Sequence, residues 1–425
     1  MVADSGYNFP LRLFGNLIIM KIAILHYSAP PVVGGVESVL AHHAALMASA
    51  GHEVRVIAGS GDSFDRRIRF VNVPLVASRH TAVLDAKSEL DKGTLPPNFS
   101  DLVNEIKNRL TLAVDSVDWL VAHNVCSLHK NLALTAALFE LSQDRKMPKQ
   151  ILWHHDLAWI SARYQGELHP GYPWDLLRTA WPTVRQVTVS ELRRQELAEL
   201  QNVSPKEIKV IPNGLDIFQM LKLGSVARGL IERLDLLAAA PLLLLPVRIT
   251  KRKNIELALR ALAELRKSLP DAKLVITGPL GAHNPANLDY FAELKTLRNE
   301  LALANSAYFL AEQVEGLLPG EVIFDLYRVA DALFLPSREE GFGIPILEAG
   351  VAGIPIFCTD IEPLKALAGD EAVYFSPDAK PKQVAALVWE TLQANPAYRH
   401  KVRVRQNYTW QAIYSKQIAP LFEAG

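Results

Sequence analysis

The chain has 425 residues, 49% of them apolar, with 45 Lys plus Arg balanced by 45 Asp plus Glu. That apolar fraction excludes a disordered chain, and the length exceeds one ordinary core, so two domains are expected. With no net charge there is no global field to gather nucleic acid or an anionic bilayer. Two basic clusters, Arg66-Arg67-Ile68-Arg69 and Lys401 to Arg405, read as solvated surface. Cys126 and Cys358 stand far apart in sequence, which fits a reducing, cytoplasmic compartment and argues against a disulfide framework or a zinc cluster. The longest apolar stretch, residues 236–247, is broken by Pro241 and Pro246 and is too short to span a bilayer. Residues 13–20 form a short apolar run with no small-residue cleavage pattern after it. Because a strand begins at Lys21, Met20 is an alternative start and residues 1–19 are then an extension.

In chain order, residues 21–26 are a compact apolar strand, followed by a Pro/Gly loop and an amphipathic helix over 37–50. Strands are expected at 54–58, 118–122, 150–153, 186–189 and 208–211, and strand–helix–strand order predicts a parallel sheet with right-handed crossovers. Residues 64–98 are less regular and read as an acceptor-side loop system. The stretch 218–239 reads as a helical connection. A second series then begins, with strands at 242–247, 273–277, 307–310, 332–335 and 354–358. Helices are expected between them at 255–267, 288–304, 321–330 and 346–351.

The most informative segment is Glu340-Gly-Phe-Gly-Ile-Pro-Ile-Leu-Glu348, two carboxylates flanking a glycine turn and a helix start. Gly341 and Gly343 allow a tight bend close to a ligand, and Pro345 suits a first helical turn. The helix directs free N–H groups and its positive end at an anion, with a carboxylate for each end of an extended ligand. That is a layout for a nucleotide sugar. Arg248 and Lys253 follow the strand at 242–247, at the carboxyl edge where doubly wound sheets bind ligands. Two fixed cations there neutralise the charge that develops on a departing diphosphate, whereas Lys251 and Arg252 read as a solvated turn.

Gly34-Gly35 is not a G-x-G-x-x-G fingerprint, so a dinucleotide cofactor is not supported. The pair lets backbone N–H groups face a phosphate or sugar, and Glu37 stabilises the start of its helix. His154-His155-Asp156 ends a strand, where adjacent side chains point to opposite faces, so a zinc site is not expected. The chain contains no Asp-x-Asp motif, so a metal-bridged diphosphate is not indicated; no metal and no cofactor are expected.

The paired glutamates with their Gly-Phe-Gly turn resemble the motif of the retaining glycosyltransferases of family 4, also called glycosyl transferases group 1. Gly34-Gly35-Val36-Glu37, His155-Asp156, Val189-Ser190-Glu191, the run Val210-Ile-Pro-Asn-Gly-Leu-Asp216, Arg248 with Lys253, and Val275-Ile-Thr-Gly278 are similar to that family's other landmarks and occur in its order. The resemblance covers roughly residues 20–420. It implies an α/β, GT-B fold: two Rossmann-like, doubly wound parallel-sheet domains facing a central cleft whose closure excludes water. The domains would be an acceptor-side domain over 20–220, with the helix at 406–425 crossing back to it, and a nucleotide-sugar-binding domain over 240–405.

By resemblance, His155 contacts the donor sugar, with Gly34, Gly35 and Gly278 lining the donor site, and His154 is packed behind. Glu340 sits near the sugar ring, Phe342, Gly343 and Ile344 offer backbone amides, and Glu348 binds the ribose diol. The implied reaction moves a hexose from a nucleoside-diphosphate sugar to a hydroxyl acceptor (a sugar, a glycan or a lipid-linked group), with retention and without metal. Peripheral membrane contact is compatible with this. Two rivals share the architecture: a nonhydrolysing nucleotide-sugar epimerase and a noncatalytic nucleotide-sugar-binding subunit. The loops at 278–284 and 314–320 depart from the family pattern on the base side, so the base is left open.

Overall fold

The computed structural model describes residues 19–280, 286–314 and 318–423. The extension expected at residues 1–19 therefore lies almost wholly outside the described residues, as do 281–284 and 315–317 of the two base-side loops. The chain divides into two compact units, one made of Met1–Leu215 with Trp410–Gly425 and the other of Asp216–Thr409.

The first unit holds seven strands: β1 (Lys21–His26), β2 (Glu53–Ala58), β3 (Ile68–Asn72), β4 (Trp119–His123), β5 (Lys149–His154), β6 (Arg185–Thr188) and β7 (Ile208–Val210). They pair in parallel in the order β3-β2-β1-β4-β5-β6-β7. Successive residues of β1 serve opposite faces, as the pleat requires. Ile22 and Ile24 join a core with the helix Gly35–Ser49 and the C-terminal segment, while Ala23 and Leu25 join one with the helices Phe99–Ala113 and Leu132–Ser142. Both faces are covered, so the residues of β1 between Lys21 and His26 are all apolar and buried.

The second unit repeats the plan with β8 (Leu242–Leu245), β9 (Lys273–Ile276), β10 (Ala307–Phe309), β11 (Ala332–Leu335), β12 (Ile356–Thr359) and β13 (Val373–Phe375), in the parallel order β10-β9-β8-β11-β12-β13. Each sheet reverses its winding once, between β1 and β4 and between β8 and β11. In a doubly wound sheet the chains leave such a switch point in opposite directions and open a crevice at the carboxyl ends of the strands.

Three expectations change. Residues 64–98 are not a loop system alone: they contain edge strand β3 and the helix Thr81–Leu90, whose Val83, Ala86 and Leu90 are buried. The stretch 218–239 is not a free connection, because Phe218, Leu230, Ile231, Leu234, Leu236 and Ala239 are built into the core of the second unit. The basic cluster ending at Arg405 is not a solvated face. The Arg405 guanidinium is buried, donates to the carbonyls of Val329 (3.0 Å) and Ala239 (2.7 Å), and pairs with Asp331 Oδ2 at 2.6 Å. Asp331 in turn accepts the Leu242 N–H at 2.8 Å, tying this pair to the start of β8. In the other cluster Ile68 is buried at the start of β3, and Arg67 pairs with Asp65 at 2.5 Å.

Asp331→Ala leaves the Arg405 charge buried without its partner. It is expected to lower the unfolding free energy by about 3–5 kcal/mol, against a much smaller loss in an Asp331→Ala/Arg405→Met pair. Denaturant titration of the purified variants checks this.

Candidate functional site

In the second unit the site is built on the two strands that flank the switch point. Beyond β8, Pro246 and Val247 pass to Arg248, and a short turn Lys251–Lys253 follows. Arg248 is exposed, and no ion pair holds it among the described residues. Lys253 is only 7% exposed. Its Nζ lies 2.5 Å from Glu340 Oε1, which also accepts the Ser337 hydroxyl at 2.8 Å. Ser337, at the end of β11, is held from behind by Thr359 Oγ1, which donates to its carbonyl at 2.6 Å. Neither Ser337 nor Thr359 stood out in sequence; one residue each in apolar strands, they carry no pattern of their own.

The helix following Glu340 runs Ile344–Ala352, two residues earlier than expected, because Gly343 caps it in the left-handed region at φ 105°. A Cβ at Gly343 would meet Leu364 Cδ2 at 2.7 Å, so glycine is required there for two reasons. Gly341 meets neither restriction. Phe342 and Ile344 carry exposed side chains on either side of the cap. Glu348 lies on the first turns of this helix and accepts the Tyr327 hydroxyl on Oε2 at 2.7 Å. Burial, and then the Glu348 carboxylate, push the Tyr327 hydroxyl far above its ordinary value, so it remains a donor.

Beside these residues lies a cavity of about 150 Å³, lined by Val247, Arg248, Thr277, Gly278, Leu310 and Ile323 among others. A Cβ at Gly278 would stand 1.7 Å from the Val247 carbonyl oxygen, so its glycine lets the end of β9 close against the backbone of Val247 and Arg248. Its first effect is therefore to shape the wall that carries Arg248.

In the first unit the loop after β1 leads through Gly34 into the helix Gly35–Ser49. A Cβ on Gly34 would lie 2.1 Å from Glu37 Oε2, whereas Gly35 has open space around it. Glu37 does more than begin a helix: Oε1 accepts the Ser28 hydroxyl at 2.5 Å and stands 3.8 Å from His26 Nε2. His26 Nδ1 donates to the carbonyl of His123, the last residue of β4, at 2.7 Å. His123 Nδ1 meets His155 Nε2 at 3.2 Å. Asn124 fixes the turn beyond β5, its Oδ1 accepting the backbone N–H groups of His155 and Asp156, both at 3.0 Å. His154 points the other way and donates to Gln186 Oε1 at 2.6 Å, the packed role expected of it. His26, His123 and Asn124 went unread in sequence, although two polar residues directly after an apolar strand beside the switch point were the available signal.

Other landmarks of the resemblance are structural. Ser190 caps the helix Glu191–Gln201 by accepting the Arg193 N–H at 3.2 Å, and Asp216 caps the helix Ile217–Met220. Gly214 admits the Trp410 ring, to which its own Cβ would lie 2.5 Å away. Among the described residues, Asp91, His129 and Glu167 form a group with metal-ligand spacing. The Lys87 ammonium already holds both carboxylates there, at 2.6 Å from Asp91 and 2.9 Å from Glu167. Cys126 and Cys358 are buried free thiols, and no described helix is long and apolar enough to cross a membrane.

Two conserved-domain families account for these halves: Glycosyltransferase Family 4 matches residues 33–218, and Glycosyl transferases group 1 matches residues 234–407. The chain belongs to this family of glycosyltransferases, and its two doubly wound parallel sheets are of the expected GT-B class. Among curated relatives it is 24% identical over 373 residues to the mannosylglucosylglycerate synthase of Thermotoga maritima, covering 82% of each chain. It is 25% identical over 419 residues to the glycogen synthase of Mycobacterium tuberculosis, covering 93% of this chain and 92% of that one. Among solved structures, Anabaena HepE in complex with UDP aligns with 96% of this chain and 100% of its own, at 17% identity and a TM-score of 0.37.

Two predictions come from this geometry. Gly343→Ala is expected to destabilise the second unit by more than about 1 kcal/mol, and Gly341→Ala to leave it nearly unchanged, when their melting curves are compared. Burial holds His43 near 3 and His154 and His155 near 4, against an ordinary 6.5. The unfolded chain therefore takes up protons from about pH 6.5 downward while the folded chain resists until about pH 4, so stability is full above that window and falls through it as pH drops. Unfolding midpoints measured across this range should fall with acid, and His43→Phe should make the fall shallower.

Proposed function

We propose that this glycosyltransferase moves a hexose from a nucleoside-diphosphate sugar to a hydroxyl acceptor, with retention and with neither metal nor other cofactor. The observation that carries this reading is the paired cation edge of β8: Arg248 on the cavity wall, and Lys253 against Glu340 just ahead of the helix Ile344–Ala352. A diphosphate beside them would meet one exposed guanidinium, one buried ammonium and the free N–H groups of a helix start. As the sugar–phosphate bond breaks, these groups stabilise the charge arriving on the leaving oxygen.

Glu340 spends Oε1 on Lys253 and Ser337, which leaves Oε2 for a sugar hydroxyl. Glu348, oriented by Tyr327, has its other oxygen available for the ribose diol. Phe342, Gly343 and Ile344 offer amides to the sugar and phosphate, and Gly34, Gly35 and His155 are read as donor contacts. With Glu348 assigned to the nucleotide, no second carboxylate is left for a double displacement, which supports a mechanism without an enzyme nucleophile. The departing phosphate would then take the acceptor proton on the face it leaves, giving retention.

Thermal shifts with UDP, GDP and ADP and their hexose conjugates, in EDTA, test the nucleotide site. A ligand at about 100 times its dissociation constant should add roughly 2.7 kcal/mol of stability. With the donor so identified, Arg248→Ala and Lys253→Ala are each expected to cut transfer at least about tenfold, an effect of about 1.4 kcal/mol on the barrier. Chelator-sensitive transfer would sink the metal-free mechanism. Donor binding without transfer to any hydroxyl acceptor would favour the epimerase or binding-subunit alternatives.

A further inference from the structure

His123 makes one contact that the transfer reading does not use. It ends β4 beside β5, in register with Trp153, and its ring is wholly buried. Trp153 stacks on it at 5.3 Å, and His43 packs against it at 5.2 Å. Its own carbonyl is held by His26 Nδ1, and the neighbouring Asn124 holds the backbone of His155. Ring and target are thus both fixed, with His123 Nδ1 at 3.2 Å from His155 Nε2. The other ring nitrogen, His123 Nε2, is buried with no hydrogen-bond partner.

Only one proton can occupy the contact between two neutral rings. If His155 Nε2–H donated, His123 would have to carry its own proton on Nε2, where no acceptor is within reach. A buried N–H without an acceptor is the rarer and costlier state. If His123 Nδ1–H donates instead, the buried Nε2 carries only a bare lone pair and no N–H of this ring is left unpaired. His155 then accepts on Nε2 and keeps its proton on Nδ1. Burial holds His155 near 4 and His123 well below its ordinary value, so near neutral pH the tautomer is the variable and not the charge. His26, His43, His154 and Asp156 are the other titratable groups around the pair.

The geometry points to His123 as a positioning residue that locks His155 in its Nδ1–H tautomer, so that His155 presents a hydrogen-bond donor to a hydroxyl oxygen of the sugar. This rests on the reading of His155 as a donor-sugar contact and adds the polarity of that contact. A hydroxyl at that position is read as an acceptor, and a ring locked the other way would read it as a donor.

The test is a long-range ¹H–¹⁵N correlation spectrum of the full chain labelled with [¹⁵N]histidine, near neutral pH and without substrate, with His155 assigned by its loss in His155→Gln. The expected result is a protonated Nδ1 and a bare Nε2 on His155. His123→Asn, whose amide N–H₂ stands where Nδ1–H stood, should keep that pattern; His123→Phe should lose it. A His155 protonated on Nε2 in the wild type overturns the inference even if neither His123 variant folds, as does an unchanged tautomer in His123→Phe. With the donor identified by thermal shift, His123→Phe should lower kcat/KM for it by about tenfold, the loss of one oriented hydrogen bond, and His123→Asn should recover most of it. The spectrum is read without substrate, so failure to transfer from any donor strikes the functional reading alone, and the spectrum still decides the tautomer.

Discussion

A parallel sheet covered on both faces has nowhere to put polar chemistry except its carboxyl edge, and everything of functional interest in this chain follows from that constraint. The strands at the switch points are the most buried: all four leucines of β8 are buried, as are all five residues of β4. The residues given a functional reading lie at or beyond the carboxyl ends of the strands. In the first unit the edge beside the β1–β4 switch point carries Glu37, His26, His123 and His155; in the second, the edge beside β8 and β11 carries Arg248, Lys253 and Glu340. The same topology used twice yields a histidine-rich edge in one unit and an ion-paired edge in the other.

The second unit shows two uses of buried charge. Arg405 and Asp331 are enclosed by backbone carbonyls and the N–H of Leu242, and their pair joins a C-terminal helix to the sheet. Lys253 and Glu340 are nearly as buried, but each retains bonding capacity: the ammonium has three donors, and the carboxylate has an oxygen left over. A pair of that kind is stable without ligand and can still turn toward one. Arg248, exposed on the cavity wall, needs no such reserve.

In the first unit, position is enforced by a series of short polar contacts. Glu37 faces His26, His26 holds the His123 carbonyl, and the His123 ring meets His155. Each contact joins residues from a different strand or the helix beside it. The parallel register is what brings them together, and burial keeps the rings neutral.

Much of this was legible in the sequence. Alternating strand and helix patterns predicted both parallel sheets, and the glycine turn between Glu340 and Glu348 marked a helix start close to where one lies. Side chains two residues apart share a face and backbones have fixed periods, so local pattern and local structure carry the same information. Contacts between distant residues obey no such rule. That Lys253 lies against Glu340, that Arg405 is buried against Asp331, that residues 218–239 are core, and that His123 meets His155 were decided by strand order. No spacing along the chain encodes which strand will lie beside which. By itself the sequence determined the class of fold and the residue types at the sheet edges; tertiary structure alone decided their partners, because hydrogen bonds and ion pairs depend on distances that only the packed sheets set.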